Sequence, residues 1–219
     1  MKNKLHIYFI KQDEKLVDEI FQQFLLQMPF LFRTEILKFS FWQGAESSLL
    51  GKIILQYAFK NLKLKHTLAD IKVSKKERPF INDEIDFNIS HSGNYIICVI
   101  AENAKVGIDI EKHRTLKTNI ADRYFDKNEC HEIDTSEDAT KSFFDLWSLK
   151  ESAIKCDGRG VEVLSKTHKQ YQTENLIKCD DALLYYQELN IAEKYSCCVC
   201  SDKIFEVEIQ ELMLEDLLT

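Results

Sequence analysis

Two prolines and six glycines among 219 residues leave no Pro/Gly/Ser-rich stretch to act as a flexible linker, so any two halves must pack directly on each other. Long apolar runs are missing too. Stretches such as Tyr95 to Ala101 fall far below the roughly 18 residues that a membrane-spanning helix requires, so no bilayer crossing is expected. There is no basic excess: 29 Lys and Arg against 36 Asp and Glu give a net charge of −7, which argues against a polyanionic partner such as nucleic acid. Near the N-terminus the apolar segment Leu5 to Ile10 is short for a secretory signal, because Lys11, Asp13 and Glu14 follow at once; a cytoplasmic protein is expected. Seven cysteines are an odd number in a chain large enough to fold without disulfides, which points to reduced thiols.

The composition, 45% hydrophobic and 30% charged, supports a sizeable core. Against a typical domain of roughly 150 residues, the length allows one large domain or two small, closely packed ones. No internal repeat is legible in the letters.

Periodicity supplies the elements. Leu5 to Ile10 reads as a strand, and Glu14 to Gln27 and Ala45 to Asn61 as amphipathic helices with Leu16, Ile20, Phe24 and Leu49, Leu50, Ile53, Ile54 on their apolar stripes. Asp126 with Glu129 makes a capping box, and Ser136 can cap a third helix running to about Cys156. Ile85 to Ile89, Tyr95 to Ala101 and Val106 to Glu111 read as strands, the first two joined by a turn at Ser92, Gly93 and Asn94. Ala182 to Glu188, Tyr195 to Cys200 and Ile204 to Ile209 read as a strand meander. Helices segregated from antiparallel strands indicate an α+β fold.

Several constellations could carry chemistry. A strand over Val106 to Glu111 sends Ile108 and Ile110 to one face and Asp109 and Glu111 to the other. Two carboxylates about 6 to 7 Å apart along a strand can hold Mg²⁺ together with substrate phosphates. Any half-exposed strand shows the same alternation. In Trp147 to Lys155, helical spacing sets Glu151 and Lys155 on one face, with Lys150 nearby. A third carboxylate could bind metal or take a proton, and ammonium groups could neutralise a pyrophosphate, although Glu151 and Lys155 also make an ordinary surface helix pair. His91 sits at a strand end between Ser90 and Ser92, beside turn amides suited to a phosphate, or simply as a turn histidine. Arg78-Pro79 is a cation on a rigid extended edge. Gly158-Arg159-Gly160 reads as a glycine helix cap, without P-loop spacing. In Cys197-Cys198-Val199-Cys200, strand alternation splits Cys197 from Cys198 and Cys200, which favours packing over metal binding.

The order and spacing of FNISHSG, GIDIE and WSLKESAIKCDGRG in one chain closely resemble the signature blocks of the Sfp-type 4′-phosphopantetheinyl transferases. The likeness is strong over residues 78 to 160. Before it, Ala45 to Gly51 is similar to the family's early helix. The resemblance implies a pseudo-dimer of two α+β halves, 1–104 and 105–219, with the active site between them and the metal carboxylates in the second. It implies transfer of the phosphopantetheine arm of coenzyme A to a serine of an acyl or peptidyl carrier protein, releasing adenosine 3′,5′-bisphosphate. It further implies Mg²⁺ on Asp109, Glu111 and Glu151, with Asp109, Glu151 and Lys155 as catalytic residues. Glu151 would be the base for the serine and Lys155 the cation at the departing phosphate. Coenzyme A would be held by Arg78, Pro79, Ser48, Ser90, His91, Lys150 and Lys155, with His91 and Ser90 on its 3′-phosphate and Arg78-Pro79 bordering the adenine. A monomer is expected. Where the family's early helix often carries a basic residue before a hydroxyl, this chain has Ser47 before Ser48; Arg33 or Lys38 are the candidates to replace it. Two rival readings share these features: a degenerate coenzyme A or carrier-protein binder without transfer, and a Mg²⁺-dependent phosphoesterase or nuclease.

Overall fold

The computed structural model describes residues 2–115 and 121–218. The first half runs β1 (Asn3–Lys11), α1 (Asp18–Gln27), α2 (Phe30–Ile36), α3 (Trp42–Asn61), the short pair β2 (Lys72–Val73) and β3 (Pro79–Phe80), then β4 (Ile85–Ser92) and β5 (Tyr95–Glu102). The second runs β6 (Val106–Lys112), α4 (Ala121–Tyr124), α5 (Lys127–Thr135), α6 (Ala139–Asp157), β7 (Thr167–Lys169), β8 (Leu176–Cys179), β9 (Ala182–Glu188), β10 (Tyr195–Ser201), β11 (Phe205–Leu212) and α7 (Leu214–Leu217). The mixed α+β expectation holds, with two main sheets ordered β11-β1-β5-β4 and β6-β10-β9-β8-β7.

Strand alternation accounts for the layering. In β5, Ile96, Cys98 and Ile100 meet Leu49, Leu50 and Ile54 of α3, whereas Ile97 and Val99 face the second sheet, against Ile108, Ile110 and Val199. Burial of both faces explains why Tyr95 to Ala101 is apolar throughout. The far face of the second sheet, with Ile177, Cys198 and Cys200, packs on Leu149 and Ala153 of α6. Each fully buried Leu or Ile in these layers is worth about 1.5–3 kcal/mol over exposure. Cys197 enters the sheet-to-sheet core and Cys198 and Cys200 the α6 core, as strand alternation requires.

Four expectations are corrected. The C-terminal segment is not a simple meander: β9 and β10 pair antiparallel, but β11 crosses back to pair parallel with β1, and Leu217 joins the first core. Residues 205–217 therefore pack with the first sheet rather than with the half expected over 105–219. The cap of α6 is Asp138, whose carboxylate accepts the Lys141 amide at 2.9 Å, while Ser136 ends α5. The first helix starts at Asp18 rather than Glu14. A helix that periodicity did not indicate, α2, lies between α1 and α3. The Asp126/Glu129 capping box is present, Gly93 takes φ 55° in the β4–β5 turn, and Gly158 ends α6 at φ 85°.

Candidate active site

The strands β4 and β6 are edges of the two sheets, and the junction between them is built from side chains. Asp86, Asn88, Ser90 and Ser92 accept hydrogen bonds from the amides of Val106, Ile108, Ile110 and Lys112 at 2.8, 3.0, 3.4 and 3.0 Å, each pair twenty residues apart. Polar side chains of one strand thus take the place of backbone carbonyls and satisfy an edge that would otherwise be a row of orphan donors. On the other face of β6, Gly107 lets α6 approach: a methyl there would overlap the Ser152 carbonyl oxygen and the Cys156 amide. This close approach sets Glu151 and Lys155 over Asp109.

The Lys155 ammonium lies 2.6 Å from Asp109 Oδ1, and also donates to Ser90 Oγ at 3.2 Å and the Ile108 carbonyl at 3.3 Å. Ser90 donates to the same Asp109 oxygen at 2.9 Å. The other oxygen, Oδ2, is buried without a hydrogen-bond partner among the described residues. Burial pushes the Asp109 carboxyl up, and Lys155 pulls against that. Burial, then Asp109 and then Glu111 as like charges, pushes Glu151 above the ordinary carboxylate range, with Lys155 opposing. Glu111 accepts from Ser92 at 3.3 Å and pairs with Arg114 at 2.9 Å.

Beside this cluster a cavity of about 510 Å³ is lined by Phe32, Phe39, Ser48, Lys52, Pro79 and His91, among others. Its size suits a nucleotide-sized ligand. Burial lowers the His91 imidazole pKa, as do the nearby Lys155 and Lys52 charges.

Comparison with known proteins matches residues 105–200 to the 4′-phosphopantetheinyl transferase superfamily model and residues 18–104 to that of the 4′-phosphopantetheinyl transferase N-terminal region. The 4′-phosphopantetheinyl transferase gsp of Aneurinibacillus migulanus is 31% identical over 80% of this chain and 77% of its own length. The chain belongs to the 4′-phosphopantetheinyl transferase superfamily. The Sfp transferase of Bacillus subtilis is 29% identical over 98% of this chain and all of its own, and the ffp transferase of the same species is 31% identical over 73% of each.

Within this transferase scaffold, Asp109, Glu111, Glu151 and Lys155 come together, and Ser48, Pro79 and His91 share the neighbouring cavity. Three residues expected to touch coenzyme A are placed otherwise. Lys150 points to another side of α6, fully buried, 2.7 Å from the equally buried Glu129 and 2.6 Å from the Tyr124 carbonyl. Arg78 forks onto Asp86 at 2.8 and 2.6 Å and donates to the carbonyls of Val106 and Lys155 at 3.0 and 2.8 Å. Its guanidinium pins the first half to β6 and to the end of α6, and Pro79 alone of that pair borders the cavity. Ser90 belongs to the carboxylate side, since adjacent residues of a strand face opposite ways and His91 takes the cavity side. Arg33 donates through one terminal nitrogen to the carbonyls of Leu26 and Met28, at 3.1 and 3.2 Å, where α1 ends, its Nε is buried without a hydrogen-bond partner among the described residues, and it does not line the cavity. Lys38 is exposed. Sequence reasoning missed Lys52, one helical turn after Ser48.

The donor set fits the divalent cation that the family implies. Asp109 Oδ2 is a buried carboxylate oxygen with an open lone pair, and the electrostatic strain on Glu151 comes from Asp109 and Glu111, the two other proposed ligands. A cation would relieve that repulsion. A second group, Asp126, Glu129 and His168, offers ligand atoms within 4.8 Å of one another. It makes a poor metal centre, because Glu129 already receives Lys150 and the amides of Asp126 and Lys169.

Proposed function

We propose that this chain transfers the 4′-phosphopantetheine arm of coenzyme A to a serine hydroxyl of an acyl or peptidyl carrier protein, using the cluster Asp109, Glu111, Glu151 and Lys155. The observation that carries the site assignment is the buried, open oxygen of Asp109, a carboxylate that pairs with Lys155 through its other oxygen and lies close enough to Glu151, with Glu111, to act on it as a like charge. Asp109, Glu111 and Glu151 would hold Mg²⁺, which when bound neutralises pyrophosphate charge and favours the ionised form of all three ligands.

The protein's own groups do the rest. Coenzyme A lies with its nucleotide in the cavity beside Ser48, Pro79 and His91. Glu151, in its ionised form, takes the proton of the carrier serine as that oxygen attacks the β-phosphorus. The bond from that phosphorus to the oxygen bridging to the α-phosphate breaks, and adenosine 3′,5′-bisphosphate departs. Lys155 stabilises charge on the departing phosphate, and no covalent enzyme intermediate forms.

The site is assembled within one chain, which supports action as a monomer. Free thiols at all seven cysteines support a cytoplasmic setting. No described helix is long and apolar enough to cross a membrane.

Intact-mass spectrometry of an apo carrier protein incubated with the chain, coenzyme A and Mg²⁺, beside a chelator control, tests this reading. A chelator-sensitive gain of one phosphopantetheine is expected. No gain across fatty-acid, polyketide and peptide carriers refutes it, and phosphate release without a carrier replaces it with a phosphoesterase.

A further inference from the structure

Lys52 occupies an unusual place for a lysine. Its ammonium lies 3.0 Å from Ser48 Oγ and 3.3 Å from the Ser48 carbonyl oxygen, and 5.1 Å from the centre of the Phe32 ring, inside the wall of the 510 Å³ cavity. Among the described residues it makes no ion pair. Burial pushes its proton affinity down, opposed only by the field of Glu35. A half-buried ammonium held by one hydroxyl, one carbonyl and a ring face, with no carboxylate in ion-pair contact among the described residues, has donor capacity left over that an anion in the cavity would use.

The neighbours point the same way. His91 lines the same cavity and feels Lys155 and Lys52 as positive fields, and of these two Lys52 shares the cavity wall with it. Ser47, Ser48 and Lys52 all lie on α3, so that a hydroxyl and an ammonium from successive turns reach one ligand group. Position 47, by contrast, offers no charge, and neither Arg33 nor Lys38 lines the cavity.

We propose that Lys52 is the ligand that recognises the 3′-phosphate of coenzyme A in this chain, acting with Ser48 and His91 and making up for the neutral side chain at position 47. The inference rests on the transferase reading above, since it names the part of coenzyme A that this cavity discriminates.

The test compares two donors, coenzyme A and 3′-dephospho-coenzyme A, with a saturating carrier protein and Mg²⁺. For wild type, Lys52→Met and Lys52→Arg, kcat/KM is measured with each donor, and adenosine 3′,5′-bisphosphate and 5′-AMP are titrated directly by calorimetry. Methionine keeps the apolar stem against Phe32, and the folded state of each variant is checked by thermal unfolding. Loss of a charge-assisted hydrogen bond predicts that discrimination between the donors falls about 10- to 100-fold in Lys52→Met. Arginine restores most of it. The bisphosphate should lose affinity in step, with 5′-AMP affected far less. Equal losses for both donors, or unchanged discrimination, overturn the proposal while leaving the transferase intact. A wild-type chain that modifies no carrier with either donor overturns the transferase reading, and this inference with it.

Discussion

Replacing Lys150 by methionine separates two roles that adjacent residues of α6 could be assigned. The Lys150 ammonium and Glu129 carboxylate are both 0% exposed and 2.7 Å apart, and the lysine also donates to the Tyr124 carbonyl and stands 5.2 Å from the centre of the Phe125 ring. At an effective dielectric of about 20, that separation corresponds to a gross attraction of about 6 kcal/mol, most of which offsets desolvation of the two ions. Removing one partner leaves the other charge buried and uncompensated, a loss of about 3–5 kcal/mol. Glu129 would keep the amides of Asp126 and Lys169, which places the loss toward the lower end. At about 2–4 °C per kcal/mol for a chain of this size, Tm should fall by about 6–15 °C. The double variant Lys150→Met/Glu129→Leu should recover much of that loss, since no lone charge then remains. Differential scanning calorimetry gives Tm, and calorimetric titration well below the transition gives coenzyme A affinity, which should be within twofold of wild type. A Lys150→Met protein with unchanged Tm and a tenfold weaker affinity would refute the placement of this side chain.

Three further outcomes follow from the same geometry. Glu151→Gln should lower kcat about 10²- to 10⁴-fold with a much smaller change in coenzyme A affinity, as expected for a lost general base; a binding loss without a turnover loss at saturation contradicts that role. The same variant bears on pH: a carboxyl raised by burial and by Asp109 and Glu111 holds its proton in the folded state above the pH at which the unfolded chain releases it. Its charging therefore costs stability as pH rises through that window, so the metal-free Glu151→Gln variant should have the higher Tm at neutral pH, and Mg²⁺ should bind wild type more tightly as pH rises, with proton release seen by calorimetry in buffers of different ionisation enthalpy. Gly107→Ala drives a methyl into the backbone of α6 and should cost about 1–3 kcal/mol in denaturant titration. It should also weaken the Mg²⁺-induced rise in Tm by moving Glu151 off Asp109.

Much of the site was legible because it rests on short-range periodicity. Asp109 and Glu111 share a face by strand alternation, and Glu151 and Lys155 by helical spacing, and neither depends on how the chain travels between them. The residues misread are those whose side chains answer to distant partners. Lys150 is one position from a cleft residue, yet about 100° around the helix, and its counter-ion is on α5. Arg78 is drawn to Asp86 across β3 and β4. Asp138 and Ser136 are equally good caps by type, and only the path of the chain selects Asp138. The pattern of Phe205 to Leu212 is the same whether it extends a meander or returns to β1, so its place in the first sheet was invisible locally. Lys52 was hidden among the apolar residues of α3, where a lone lysine reads as a break in the stripe.

The junction of β4 with β6 shows why alternation alone misleads. Asp86, Asn88, Ser90 and Ser92 form a period-two polar series of the kind that marks a solvent-facing strand, but Asp86, Asn88 and Ser90 are buried. Their side chains reach one strand further than a backbone carbonyl does and accept the amides of β6 at a constant offset of twenty residues. The spacing serves the chemistry. Pairing β4 directly to β6 by backbone would have merged the two sheets edge to edge. With side chains as the link, the sheets instead stack through Ile97, Val99, Ile108 and Ile110, and the opposite face of β6 is left to α6. Ser90 then does two things with one hydroxyl, accepting the Ile110 amide and donating to Asp109, so the strand junction and the orientation of the carboxylate are one hydrogen-bond network. The same serine accepts Lys155, which ties the ammonium of α6 to the first half of the chain. The carboxylate cluster therefore depends on both halves, although Asp109, Glu111, Glu151 and Lys155 all come from the second.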